Sequence, residues 1–359
     1  MPLMTFSQGR AINRRRDGLI SMPFSAADGI PPDTLALNFL TGTYEVNSTP
    51  VTLTDYVTCT RAGVATYVNS SGVVTDASAN TLRFDYAPNG GALRGILIET
   101  GLTNQMIRTE EFSDASWTKV RLATTADTTT SPAGTMTADR CLCNGTGGGM
   151  YIERSSSSFT GATFTASVWI KKGSGDWAVI SMYNGANSLN QFYNVSTGAI
   201  GSRSNGGNYT FTDATITDYG GGWFRCTLTI TRPDTTASSI FSVYLGTTAD
   251  GVYSCTNGVS EGFIWGAQLE VQGIATSYVR ASASAVARAS DVVTMTGTDF
   301  SDWYNASQGT FVSNFIARTT IGHLLSANDN TANEAIFSRF NAGVNNLVVT
   351  DGGGYASRY

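Results

Sequence analysis

Between residues 105 and 282, apolar side chains recur at every second position in one short segment after another, and the 3.6-residue period of a helix is nearly absent. In WFRCTLTI (223–230), Phe224, Cys226, Leu228 and Ile230 fall on one face and Arg225, Thr227 and Thr229 on the other. In FTASVWIKK (164–172), Phe164, Ala166, Val168 and Ile170 share a face. A period of two sends alternate side chains to opposite sides of a sheet, and one apolar side with one polar side marks antiparallel pairing. Strands are predicted at 162–172, 176–184, 190–195, 222–231, 239–246 and 261–271, spaced as in a two-sheet sandwich. Residues 110–119 read as a short helical turn or loop, with Trp117 as a plug on the sandwich. The expected class is all-β: an antiparallel β-sandwich of jelly-roll type.

Composition excludes several alternatives. Charged residues are 14% of the chain, against roughly 25% in ordinary globular proteins. Aromatics at 11% are too abundant for a disordered chain. A net charge of -5 offers no basic field, so no nucleic-acid partner is expected. No apolar run approaches the about 18 residues of a membrane-spanning helix, and no long apolar stretch follows Arg14, Arg15 and Arg16, so neither membrane insertion nor a cleaved leader is expected. The five cysteines include no C-x-x-C pair, and His323 is the lone histidine. No metal and no cofactor are therefore expected. The cysteines read as buried free thiols, in keeping with assembly in a reducing cytoplasm.

Four regions are predicted. Residues 1–35, broken by Pro23, Pro31 and Pro32, form an extended anchor arm. Its scattered apolar anchors, Phe6 and Phe24 among them, order on a partner protein, and Arg10, Arg14, Arg15 and Arg16 pair with acidic groups there. Residues 36–104 form a small β-rich attachment domain with strands near 35–40, 56–62, 65–69, 72–77, 81–86 and 93–100. Residues 105–290 form the jelly roll. Residues 291–359 form a linker and the start of a second, incomplete sandwich, because GTFVSNFIAR (309–318) echoes GATFTASVWIK (161–171) and Ser326 and Asn328 match Ser181 and Tyr183 in the hairpin that follows.

No catalytic constellation stands out. There is no G-x-S-x-G elbow and no P-loop, and most carboxylates of the middle block fall in predicted loops. Sugar binding needs aromatic faces against C–H surfaces and planar amides or carboxylates for hydroxyls. Trp169, Trp223 and Trp265 sit in predicted strands and read as core. The candidates for a glycan groove are Trp177, Tyr183, Asn184, Asn187, Gln191 and Tyr193, although the same mix also suits an ordinary polar sandwich face.

Several segments together resemble phage and prophage virion proteins of tail-fibre, spike or head-fibre type with concanavalin-like or carbohydrate-binding-module jelly rolls. They are LNFLTGTYEV (37–46), the stretch TRAGVATYVN…ETGLTN (60–104), TEEFSDASWTK (109–119), GGGWFRCTLT (220–229) and the stretch beginning FIWGAQLEVQG (263–297). The resemblance implies a place on the exterior of the particle, a homotrimer, host-surface polysaccharide as partner, and no fixed catalytic motif. Two readings compete with it. One is a purely structural collar or fibre-base adaptor. The other is a spike depolymerase, which needs paired carboxylates about 5–10 Å apart in a groove.

Overall fold

The computed structural model describes residues 35–155, 163–232 and 239–304, and the backbone of strands at 3–6, 9–10, 321–328, 335–341, 344–351 and 354–358. Twelve strands build the central sandwich: β1 (Thr118–Val120), β2 (Leu122–Thr129), β3 (Ala138–Cys143), β4 (Met150–Ser155), β5 (Thr163–Lys172), β6 (Trp177–Tyr183), β7 (Ser188–Asn194), β8 (Ala199–Gly206), β9 (Thr210–Gly220), β10 (Trp223–Thr231), β11 (Ile240–Thr247) and β12 (Glu261–Glu270). Sheet one runs β1–β4–β11–β6–β7–β8 and sheet two β2–β3–β12–β5–β10–β9. Every pairing in both sheets is antiparallel. The described helices are two four-residue turns, Leu53–Tyr56 and Thr298–Ser301. The fold is all-β, as the alternation predicts.

The inward faces interlock as the period of two requires. Phe164, Ala166, Val168 and Ile170 of β5 meet Ile180 and Met182 of β6, Leu228 and Ile230 of β10, and Phe241 and Val243 of β11 in one buried core. Trp117 closes its edge, 1% exposed, with its ring 5.0 Å from Phe112 and its Nε1 donating to the Arg108 carbonyl at 2.9 Å. That satisfied donor is what lets a tryptophan sit in a dry site.

A second core lies in the N-terminal block, and residues that precede and follow the sandwich in sequence build it. Phe39, Leu53, Val57, Cys59, Ile96 and Ile98 pack with Val293, Met295 and Phe300. The strand Val292–Thr296 pairs with Thr58–Thr60 on one side and with Leu3–Phe6 on the other. The expected boundary at 290 therefore cuts through a core: the block around 36–104 buries its apolar face only with 292–300 in place. Among the described residues, the hairpins of 321–358 join a sheet of the N-terminal block. They extend a seven-stranded antiparallel sheet in the order 354–358, 344–351, 335–341, 321–328, 3–6, 292–296, 58–60. The strand Ile321–Asn328 ends at Asn328 and β6 ends at Tyr183, the two positions that the echo pairs. The segment 309–318 lies outside the described residues.

The detached arm is also corrected in part. Phe6 lies opposite Val293 and Leu325 in the sheet register, and Arg10 lies opposite Leu97. Two strands flanking a gap present unpaired backbone groups, and an N-terminal strand that fills the gap satisfies both. Arg14, Arg15, Arg16 and Phe24 lie outside the described residues.

The cysteine reading changes for one pair. Cys143 is bonded to Cys255, with Cα atoms 6.2 Å apart across 112 residues of sequence. The chain after β11 folds back along β3: the Cys255 amide donates to Gly148 and the Gly258 amide to Cys143. A partner this distant leaves no trace in local spacing. Cys59, Cys141 and Cys226 are free and buried.

A buried ionic cluster fastens the returning segment to the N-terminal block. Arg61 reaches Asp291 at 2.7 Å, Arg83 bridges Asp291 and Glu99, and Arg288 stands 3.6 Å from Glu99. Arg83 also donates to the Thr66 carbonyl and the Ser277 hydroxyl. Burial alone would push the Glu99 carboxyl up, but Arg83, Arg288 and hydrogen bonds from Ser277 outweigh it and hold it far below the usual carboxylate range. Asp139, at the junction of β3 with the turn around Phe112, behaves oppositely. Burial pushes it up to about 6, although the amides of Asp127, Phe112 and Ser113 favour its charged form.

These two groups give stability opposite slopes with pH. Glu99 is depressed, so its contribution is present above its ordinary value of 4.5 and is lost as pH falls. Asp139 is raised, so its contribution is present below its ordinary 3.8 and is lost as pH climbs to about 6. Thermal melts across that window are expected to show wild type losing stability with rising pH relative to Asp139→Asn. Parallel curves would remove Asp139 as the cause.

Candidate functional site

The two sheets turn different outer faces outward. Sheet two presents Trp169, Trp223 and Trp265, and Val74 and Tyr278 cover them into a third buried cluster. The Trp169 ring lies 5.1 Å from that of Trp265 and 5.4 Å from that of Tyr278, and Arg225 caps it at 4.4 Å. That face is internal to the molecule. The outer face of sheet one carries the polar and aromatic surface.

Which side chains point out follows from which point in. Met150, Ile152, Phe241, Val243, Ala178, Ile180 and Leu189 are in the core, so their strand neighbours face outward. The register then lines them up. Glu153 lies opposite Ser242, Ser242 opposite Ser181, Ser181 opposite Asn190, and Asn190 opposite Ser204. This is one polar row crossing five strands. Beside it runs an aromatic and apolar row, Tyr151, Tyr244, Val179 and Phe192. On the other side Ile240 lies opposite Tyr183.

The polar row is little exposed at its centre, and Tyr183 stands out beside it. Ser181 and Ser242 are only 5% and 4% exposed, whereas Tyr183 is 39% exposed. Tyr253, from the loop after β11, adds a further ring to the aromatic side. Successive centroids are 4.6 Å apart from Tyr151 to Tyr244, 4.9 Å to Tyr253 and 5.1 Å to Phe192. The disulfide through Cys255 holds that loop, and so does Asp250, whose carboxylate accepts the amide and hydroxyl of Ser202 at 2.9 and 2.8 Å. The result is a groove with a hydroxyl and amide floor and a tyrosine wall. Burial, then Tyr151, Tyr253 and Glu153, push the Tyr244 phenol up to about 12. Burial also raises Tyr151 and Tyr253 above the ordinary phenol value. Among the described residues, no three histidine, cysteine, aspartate or glutamate side chains gather as a metal site would need.

The sequence candidates do not converge. Trp177 and Tyr183 stand at opposite ends of β6, about 20 Å apart at the usual strand rise. Trp177 is half-buried, and a Cβ on Gly201 would collide with its ring. The Tyr183 hydroxyl donates to Gly185 at the groove rim. Asn184 and Asn187 build the turn between β6 and β7: Asn184 Oδ1 accepts the Asn187 amide at 2.7 Å, and Asn187 Oδ1 accepts the Asn208 amide at 2.7 Å. Gln191 and Tyr193 are buried and cannot touch an external ligand. Gln191, 1% exposed, donates to the carbonyls of Gly201 and Ser202 beside an irregularity in the β7–β8 register. Tyr193, 0% exposed, faces the core and donates to the Thr227 carbonyl at 2.6 Å.

Sequence reasoning missed Tyr151, Glu153, Ser242, Tyr244 and Tyr253. The alternation of MYIERS (150–155) and IFSVYL (240–245) does place Tyr151, Glu153, Ser242 and Tyr244 on outward faces. It does not show that strands some ninety residues apart lie side by side. A second cleft, of about 430 Å³, lies at one end of the sandwich and is lined by Asn89, Lys171, Lys172, Asp218, Gly221 and Phe224. Several of its polar groups are already engaged: Lys172 pairs with Asp176, and Asp218 accepts from Asn89 and from the Gly220 amide.

No protein-family model matches the chain, and no curated protein matches it. Among solved structures, the enzymatically active domain of tailspike protein 4 from bacteriophage CBA120 is similar at a TM-score of 0.30 and 12% identity, over 47% of this chain and 21% of that one.

Proposed function

We propose that this chain is an exterior component of a bacteriophage particle, of fibre or spike type, that recognises host-surface polysaccharide through the open face of sheet one and does no chemistry on it. The groove between the tyrosine wall and the Tyr183 rim carries the recognition. It joins flat aromatic faces to a line of hydroxyl, amide and carboxylate groups, the combination a sugar needs. The particle location rests on the resemblance of residues 37–310 to virion proteins. So does the homotrimer, in which a shallow site gains avidity from repetition. Residues Arg14, Arg15, Arg16 and Phe24 remain the proposed contacts to other virion proteins. Hydrolysis would need a second carboxylate facing Glu153, and among the described residues the other carboxylate at this face, Asp250, is engaged by Ser202.

The test is the double variant Tyr151→Ala, Tyr244→Ala. Its affinity for host cells is expected to fall at least about tenfold, equivalent to about 1.4 kcal/mol, with an unchanged circular dichroism spectrum. A folded double variant that binds as wild type does would remove this face from the function. Release of reducing ends from host polysaccharide by wild type would replace the binding role with a depolymerase.

A further inference from the structure

We infer that the groove takes an internal stretch of a linear polysaccharide whose sugars are neutral or amino-bearing, and that it rejects polymers carrying uronate or phosphate. This rests on the recognition role proposed above and adds the ligand class and the mode of approach.

The mode follows from the register. The polar row can be followed from Thr118 on the edge strand β1, opposite Glu153, to Ser204 on the edge strand β8, and both end residues are exposed. Five strand spacings make this about 24 Å. The length suits several linked rings, and the row is open at both edges of the sheet. A site that reads a chain terminus needs a closed end, and no described residue of the row supplies one. A polymer can therefore enter and leave along the row without presenting its own end.

The class follows from charge. Glu153 is the one ionisable side chain in the row. One of its carboxylate oxygens accepts the Ser242 hydroxyl at 3.2 Å, and the other has no partner among the described residues. Asp250 adds a second negative charge on the loop that carries Tyr253. The nearby cation, Arg121, lies 5.9 Å from the Tyr151 ring centroid, beyond the aromatic wall, and its Nε is bound to the Gly149 carbonyl. An anionic sugar over the Ser242–Ser181 floor would face Glu153 with no opposing cation in the row. A hydroxyl pair or an ammonium there would donate to the open carboxylate oxygen, which is the stronger, charge-assisted form of hydrogen bond. Like-charge juxtaposition is a common way in which a binding face rejects wrong partners.

The experiment is an immobilised panel of purified bacterial polysaccharides in three groups: neutral, amino-bearing, and uronate- or phosphate-bearing. Each polymer is tested intact and with its reducing end blocked, against the full chain and Glu153→Gln. Wild type is expected to bind members of the first two groups, with the acidic group at least about tenfold weaker at about 0.15 M salt. Blocking the ends should leave binding unchanged. Glu153→Gln, nearly isosteric, should narrow the gap between neutral and acidic polymers at least about fivefold. Acidic polymers bound as well as neutral ones, a gap that Glu153→Gln leaves unchanged, or binding lost on blocking the ends would each overturn the inference. If acidic polymers bind best and the Tyr151, Tyr244 double variant loses them, the recognition face stands and the ligand class falls. If no polymer binds, both fall.

Discussion

Replacing Arg83 by methionine is expected to lower the stability of the chain by about 3–5 kcal/mol, because it takes from two buried carboxylates the cation they share and leaves Arg61 and Arg288 to balance them. Arg83 is 1% exposed and pairs with both Glu99 and Asp291. Glu99 is held ionised chiefly by Arg83 against the pull of its own burial. With the guanidinium gone, the more distant Arg288 and the Ser277 hydrogen bonds alone oppose the cost of burying the charge, and the balance shifts toward unfolding. The effect should spread beyond the cluster, since Asp291 and Arg288 belong to the segment that leads into the strand Val292–Thr296. Urea unfolding of the full chain measures it. A loss below about 1 kcal/mol would mean that the cluster behaves like an exposed ion pair. Adding Glu99→Gln to Arg83→Met should return part of the loss, because one stranded charge is then neutral.

Gly266→Ala is the second large effect, at about 2–4 kcal/mol, from a left-handed backbone and a forced overlap. Gly266 has φ +67° and sits where the β12 register against β5 slips between Ser167 and Trp169. A Cβ there would stand 2.7 Å from Trp169 Cε3, inside the edge-to-face cluster of Trp169, Trp265 and Tyr278. The slip has a structural purpose. It lets Ile264, Ala267 and Leu269 all face the core while Trp265 faces the covered outer side of sheet two. A melting temperature within experimental error of wild type would contradict this account of the bulge.

That bulge also marks where the sequence stopped being legible. Strands with one apolar face, such as β5 and β10, are readable because burial of one side writes a period of two into the chain. β12 is apolar on both faces and carries the glycine slip, so its alternation breaks at Trp265–Gly266–Ala267. Of the strands that were missed, β1, β2, β8 and β9 lie at sheet edges, where solvent relaxes the pattern: LATTADTT and AIGSRSNG are mostly exposed. β3 and β4 are interior and alternate, but each is only six residues long. Trp169, Trp223 and Trp265 were legible as buried, although they fill the outer cluster of sheet two and not the sandwich interior.

The candidate site was legible only in part. The choice of Tyr183 and of the β6–β7 neighbourhood follows from strand pairing of adjacent segments, which sequence proximity reveals. Tyr193 was misjudged because the same alternation that puts Asn190 outside puts Tyr193 inside, facing Thr227. Tyr151, Glu153, Ser242 and Tyr244 come together only when β4, β11 and β6 lie side by side. Tyr253 reaches the wall through a loop pinned by Cys143–Cys255, a long-range closure that nothing local announces. The N-terminal strand is a similar case. Leu3–Phe6 has little reason to be ordered alone, and its order comes from the gap between 292–296 and 321–328.

The central claim is that the open face of sheet one is where the chain meets its ligand. Hydrogen–deuterium exchange of the full chain, with and without polysaccharide purified from the host cell surface, tests it most directly. Added protection is expected in 118–120, 151–155, 181–183, 188–192, 202–205, 240–244 and around Tyr253, and nowhere else among the described residues. Protection confined to the cleft of Asn89, Lys171 and Phe224, or no change at saturating polysaccharide, would contradict it.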